Sequence, residues 1–262
     1  MKRITAVFCL FLLPFILTGQ GYKSVIAEKK NVDADNQIYV PGRTFVYEVT
    51  ITKGGKNMLL VKNGFNGWEW AEASPDSMNR ILMVVLGPKK GDRTNKRQTE
   101  ILYTTDGMPE FVETTGLIEN ADNVWLHPPR SGFFKSLELC PFPYVQLPLE
   151  QDKAWGDEIT IGSHWSHPEW AEWEGELNLN HTYRIAEKVE KRTAASIYRL
   201  EAIGNSAVGQ TKLEAFYSEK KGFEQLTFTL PKGDTVFFNL IEIRTSESPP
   251  LKNAEEYLRK LR

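Results

Sequence analysis

Apolar and polar residues alternate with a period of two through most of this chain. In "RTFVYEVTITKGGKNMLLVKNG", Phe45, Tyr47, Val49 and Ile51 share one parity, while Thr44, Val46, Glu48 and Thr50 share the other. Period two places each set on its own face of a strand. Gly54-Gly55 supplies the residues of a tight hairpin turn, and Met58 to Val61 begins the return strand. "NRILMVVLGP" is continuously apolar, which predicts a central strand buried on both faces and ended by Gly87-Pro88. "QTEILYTTDG" and "PEFVETTGLIE" predict two strands around an Asp106-Gly107 turn.

The same pattern returns from Glu158 onward. Tyr183, Ile185 and Val189 alternate with Arg184, Lys188 and Glu190, and Tyr198, Leu200 and Ala202 form a strand bounded by Gly204-Asn205. "TKLEAFYSEKKGFEQLTFTLPKGDTVFFNLIEIRTS" predicts three strands, with turn chemistry at "EKKG" and "PKGD". Successive strands joined by short turns form an antiparallel meander.

Two segments break the pattern. Val124 to Asp157 holds five prolines, which donate no ladder hydrogen bond, yet it is rich in Trp, Phe, Leu and Tyr. That combination predicts a packed loop closing one side of the sheet, with a turn of helix near Phe133 to Leu139. At the C-terminus Asn253 can cap a helix, with Glu256 placed as in a capping box. Ala254, Tyr257, Leu258 and Leu261 give that helix one apolar face, and it is too short to stand alone, so it should dock on the sheet. The predicted fold is mainly β: a large curved antiparallel sheet, a half-barrel or open barrel meander, with a Pro-rich covering loop and a short C-terminal helix.

The N-terminus changes the expected compartment. Lys2 and Arg3 precede an apolar run from Ile4 to Leu17 and then small residues, the layout of a Sec signal peptide over residues 1–21. Cleavage fits after Gly21, or as late as Ala27. Residues 28–262 then form a single β-rich domain with no transmembrane span, secreted or periplasmic. Cys9 lies inside the apolar run rather than after it, which argues against lipidation. Cys140 is then alone and cannot form an internal disulfide, so a buried thiol is expected.

Charge adds little. Lys plus Arg number 32 against 34 Asp plus Glu, a formal net charge of −2, so nothing pulls the chain toward nucleic acid. The five basic residues between Lys89 and Arg97 are expected in a solvated hairpin loop.

The candidate chemistry concentrates in "IGSHWSHPEWAEWEGE", Ile161 to Glu176. His164 and His167, with His127 from another segment, are candidate metal ligands and would define a metal-dependent hydrolase. Pro168 makes this segment a loop, where a spacing of three specifies no common face. Neither HExxH, a Gly-x-Ser-x-Gly elbow nor a phosphate-binding glycine loop is present, so catalysis has little support and no cofactor is expected. The tryptophans offer a second reading. Trp68 and Trp70 share a strand face, and with Trp165, Trp170 and Trp173 they could line a ligand surface. "HPPR" holds His127 and Arg130 in a rigid loop, where Arg130 could meet an anion or pin the loop internally.

Three strings carry a resemblance: "AFYSEKKGFEQLTFTLPKGDTVFFNLIEI", "GRTFVYEVTI" and "WLHPPRSGFF…PFP". They are similar to uncharacterised exported proteins of the Bacteroidota, which resemble the lipoprotein-carrier (LolA-like) half-barrel group. The resemblance implies a curved antiparallel sheet whose covered concave face binds acyl chains. It carries over no functional residue, and this chain departs from the group in having one convincing helix after the signal. The leading expectation is therefore an exported, non-catalytic β-protein that binds an apolar, lipid or other envelope-derived ligand on its concave face. The alternatives are the metal-dependent hydrolase and a structural partner protein in an envelope complex.

Overall fold

The computed structural model describes residues 36–63, 67–73, 79–87, 98–105, 112–190, 195–246 and 248–260. The signal segment, the basic stretch Lys89 to Arg97 and the Asp106-Gly107 turn lie outside the described residues.

Fourteen strands make one antiparallel sheet. The first eight are β1 (Arg43–Lys53), β2 (Lys56–Asn63), β3 (Gly67–Glu72), β4 (Asn79–Val85), β5 (Thr99–Thr105), β6 (Glu113–Glu119), β7 (Asn123–Leu126) and β8 (Tyr144–Gln146). The second run is β9 (Ala154–Gly162), β10 (Glu176–Val189), β11 (Ile197–Ser206), β12 (Gly209–Ser218), β13 (Gly222–Thr229) and β14 (Thr235–Thr245). Across the sheet the order is β8-β7-β6-β5-β4-β1-β14-β13-β12-β11-β10-β9, with β2 and β3 extending from β1 as an arm. The chain thus starts mid-sheet, runs out to β8, crosses to the far edge at β9 and returns beside its own start. Consecutive strands β8 and β9 are the two edges, and the sheet curls until it is nearly closed into a barrel.

Local chemistry explains the elements. Gly54 and Gly55 both have positive φ, 56° and 80°, as a tight hairpin between β1 and β2 requires. In β10 burial alternates strictly from Glu176 to Ile185, so Leu177, Leu179, His181, Tyr183 and Ile185 face the interior. Beyond Ile185 the pairing with β11 slips, and Val189 ends 37% exposed rather than continuing the buried face. β4 is apolar on both faces for a specific reason. Ile81, Met83 and Val85 enter the main core, while Val84 and Leu86 pack outside with Leu102, Leu251, Ala254 and Tyr257. The last two belong to the helix α1 (Ala254–Lys260), which docks on the sheet as its apolar face predicts. Asn253 Oδ1 accepts the Glu256 N–H at 2.8 Å, and the Glu256 carboxylate accepts the N–H of Lys252, one residue earlier than a standard capping box.

One expected turn is not a turn. Gly204-Asn205 continues β11, which runs on to Ser206. A Cβ on Gly204 would lie 2.5 Å from Thr211 Oγ1, 3.1 Å from His181 Cδ2 and 3.2 Å from Pro141 Cδ. The glycine therefore marks a close approach inside the sheet rather than a chain reversal.

The Pro-rich middle is not all loop: its ends join the sheet as β7, β8 and the start of β9, and only the stretch between β7 and β8 lies inside the barrel as a plug. Gly132–Leu139 forms a 3-10 helix, and Phe133, Phe134, Leu137, Leu139, Cys140 and Phe142 are buried in the core. The walls bond to its backbone: Tyr103 Oη donates to His127 O at 2.9 Å and Thr211 Oγ1 to Leu139 O at 2.9 Å. Burial pushes the Cys140 thiol far above its ordinary range, which makes it an inert packing group. Among the described residues, the interior beneath Pro128 and Pro129 leaves only about 10 Å³ of space. The inner face of the sheet is filled by its own chain.

Candidate functional site

A cleft of about 520 Å³ opens at one end of the barrel. Three distant segments meet there: the β1–β3 arm, the start of the plug, and the loop between β9 and β10. The arm brings Lys53, Leu60 and Trp70, the plug brings Gly132, Phe133 and Lys135, and the loop brings His164, His167, Glu169 and Trp170. The volume falls in the usual range for small-molecule sites.

The floor is aromatic. Trp70 meets Phe133 at 6.1 Å and Phe134 at 5.4 Å, both edge to face, and Phe133 meets Trp170 edge to face at 6.2 Å. Such contacts favour the ring edges and hold the rings in place. The loop fixes its own shape by hydrogen bonds. Trp170 Nε1 donates to Trp165 O at 2.9 Å, Trp173 N to Ser166 Oγ at 3.0 Å, and His167 and Ala171 exchange backbone bonds. His167 stacks on Trp170 at 4.5 Å, and its Nδ1 accepts the Glu169 N–H, so Nε2 carries the proton. The rim is polar. Lys53 Nζ bonds Glu169 Oε1 at 2.7 Å and lies 5.5 Å above the Phe133 ring. The indole N–H of Trp70 is buried without an acceptor.

The structure thus brings together Trp70, Trp170, His164 and His167 of the sequence candidates. Trp165 and Trp173 are partly buried and pack against the core behind the loop. The side chain of Trp68 lies outside the described residues. His127 and Arg130 do not line the cleft. Arg130 is exposed, and it is its backbone N–H, not its guanidinium, that pins the loop by bonding Glu113 Oε1. His127 is half-buried between Trp125 and Phe142, with Nδ1 donating to Pro128 O at 2.7 Å. The expected set of His127, His164 and His167 therefore does not converge, because the first is committed to the plug. Among the described residues no group of three His, Cys, Asp or Glu side chains is placed to hold a metal ion.

A second polar cluster sits under the plug. Glu138 Oε1 lies 3.4 Å from His127 Nε2, with Glu113 and Arg130 nearby. Burial raises the Glu138 carboxyl to about 7 and lowers the His127 imidazole to about 4, so below neutrality the contact joins two uncharged groups. Burial also raises Glu113. Walled in by the plug, this pair is placed to hold structure rather than to meet a substrate.

Sequence patterning missed Lys53, Leu60, Phe133, Lys135 and Glu169. Each reads by itself as an ordinary strand or loop residue, and only the plug's position inside the barrel makes them neighbours.

No known protein family matches the sequence, and no curated protein matches it. Among solved structures, the crystal structure of the hypothetical lipoprotein YmcC from Escherichia coli (K12) is similar at a TM-score of 0.30 and 14% identity, over 80% of this chain and 90% of that one. None of these comparisons points to the Bacteroidota. Among the described residues no helix is long and apolar enough to cross a membrane.

Proposed function

We propose that this is an exported, non-catalytic binding protein whose ligand, apolar or derived from the cell envelope, occupies the cleft at the barrel end. Residues 1–21 direct export, and residues 28–262 act as one binding unit. Trp70, Trp170, His164 and His167 contact the ligand, while Trp165 and Trp173 support the loop from behind. The observation that carries this reading is a 520 Å³ cleft floored by Trp70, Phe133 and Trp170 beside an interior that the plug has filled. An aromatic floor with a few polar groups at its rim suits a ligand with an apolar body and one polar end.

The test is a solvent extract of purified protein, analysed by mass spectrometry, beside uptake of a fluorescent monoacylglycerol. A retained ligand, or uptake that Trp70→Ala and Trp170→Ala abolish, supports the reading. A clean extract with no uptake refutes it.

A further inference from the structure

The charged groups that line the cleft are two ammonium groups, Lys53 Nζ and Lys135 Nζ, and one carboxylate, Glu169. The carboxylate and the nearby hydroxyls have partners of their own. Glu169 is held by Lys53, Ser166 Oγ accepts from Trp173, and the Ser131 hydroxyl is turned to Glu113. Lys135 is exposed on the 3-10 helix and has no carboxylate partner among the described residues. An unpaired ammonium beside a paired one favours an anionic ligand group. Below that rim lie the rings of Trp70, Phe133 and Trp170, together with Leu60.

We propose that the cleft selects an acidic amphiphile: the ammonium of Lys135, assisted by Lys53, holds a carboxylate or phosphate head while the aromatic floor takes the apolar chain. The proposal rests on the cleft being the ligand site and adds the charge of the head. Lys135 is exposed, so its replacement is expected to change specificity and leave the fold intact. Gly132 supports the geometry. Its φ of 59° turns the chain into the 3-10 helix that carries Lys135.

Calorimetric titration of the mature protein with three probes tests this: decyl phosphate, the neutral decyl glycerol ether, and inorganic phosphate. The expected order is decyl phosphate tightest, by about tenfold over the ether, with inorganic phosphate weakest. Lys135→Gln should weaken decyl phosphate about tenfold and leave the ether unchanged. Equal affinity for decyl phosphate and the ether, or Lys135→Gln without effect, overturns the selection of an acidic head and leaves the binding reading standing. Inorganic phosphate as tight as decyl phosphate overturns the role of the aromatic floor. Silence from all three probes removes the proposal and the binding reading together.

Discussion

His127 Nε2 and Glu138 Oε1 face one another at 3.4 Å inside the barrel, each held there by the plug that carries it. Because the imidazole Nδ1 donates to Pro128 O, Nε2 is left as an acceptor facing the Glu138 carboxyl, whose Oε1 makes no hydrogen bond among the described residues. Glu138 in the folded protein titrates near 7, against 4.5 in an open chain. Between those values the folded state holds a proton that the unfolded chain has released. Stability from this group is therefore full below pH 4.5 and lost as pH rises toward 7, by on the order of 3 kcal/mol. Glu113, also raised, acts in the same sense.

His127 and the fully buried His181 act in the opposite sense. Both are lowered by burial from 6.5 to about 4, so their contribution is full above pH 6.5 and lost as pH falls toward 4. Set against the raised carboxyls, they place the stability maximum in the mildly acidic to neutral range. Urea melts at pH 5, 6.5 and 8 should show it, and Glu138→Gln should flatten the decline above pH 6.5 and steepen the fall from pH 6.5 to 5, where Glu138 otherwise opposes the histidines. An unaltered alkaline decline in that variant would remove Glu138 as its source.

At the opposite end of the barrel from the cleft's loop, the Glu119 carboxylate accepts three successive backbone N–H groups, from Gln37, Ile38 and Tyr39, each at 2.9 Å. These charge-assisted bonds tie the segment before β1 to the end of β6. Glu119→Ala leaves the buried N–H groups of Ile38 and Tyr39 short of an acceptor and should cost about 2–4 kcal/mol in denaturant unfolding, with Glu119→Gln recovering part of the loss. Full stability in Glu119→Ala would show that water replaces the carboxylate.

Tyr39 and Gly222 test the packing of that same segment. Tyr39 Oη accepts the Phe223 N–H at 3.0 Å, and a Cβ on Gly222 would sit 2.3 Å from that oxygen. Gly222 also has a φ of 78°, which costs a residue with a side chain about 1–2 kcal/mol. Gly222→Ala should therefore be among the more damaging single substitutions, above about 2 kcal/mol. The pair Tyr39→Phe with Gly222→Ala should lose less than the sum of the two singles, since removing the hydroxyl opens the space. Strict additivity in a double-mutant cycle would refute the clash.

The outer helix gives a smaller effect. Tyr257 packs on Val84, Leu86 and Leu102, and its Oη lies 3.3 Å from Thr104 Oγ1. Tyr257→Ala should undock α1 at a cost of about 1–2 kcal/mol and speed amide exchange in α1 more than in β1. Equal protection in both elements would place the stability of α1 elsewhere.

Much of the sheet was legible because a strand buried on one face advertises it at every second residue, as β1 and β10 do. The Gly54-Gly55 hairpin, the docking of α1 and the 3-10 turn near Phe133 followed from local chemistry in the same way. Gly204 misled because one glycine has the same appearance in a turn and under a crowded neighbour, and Pro141 above it is sixty-three positions away in sequence. Metal ligation by His127 failed for a related reason: its Pro-Pro neighbours announce rigidity, not direction, and the chain turns that ring inward. The cleft was half legible. The concentration of Trp and His between Ile161 and Glu176 pointed to its loop, but Lys53, Phe133 and Lys135 join it only through contacts that no period encodes.

Finally, the ring of strands is split. Its ends, β8 and β9, meet through side chains: Tyr144 packs edge-on against Trp155 at 5.7 Å and Tyr183 at 5.5 Å, and Lys153 Nζ binds the carbonyls of Gln146, Leu147 and Pro148. A hoop fastened by a buckle can be let out without tearing its fabric. The seam is closed by three aromatic rings, one ammonium group and the short loop from Leu147 to Lys153, so it is held by a clasp distinct from the hydrogen-bonded weave on either side.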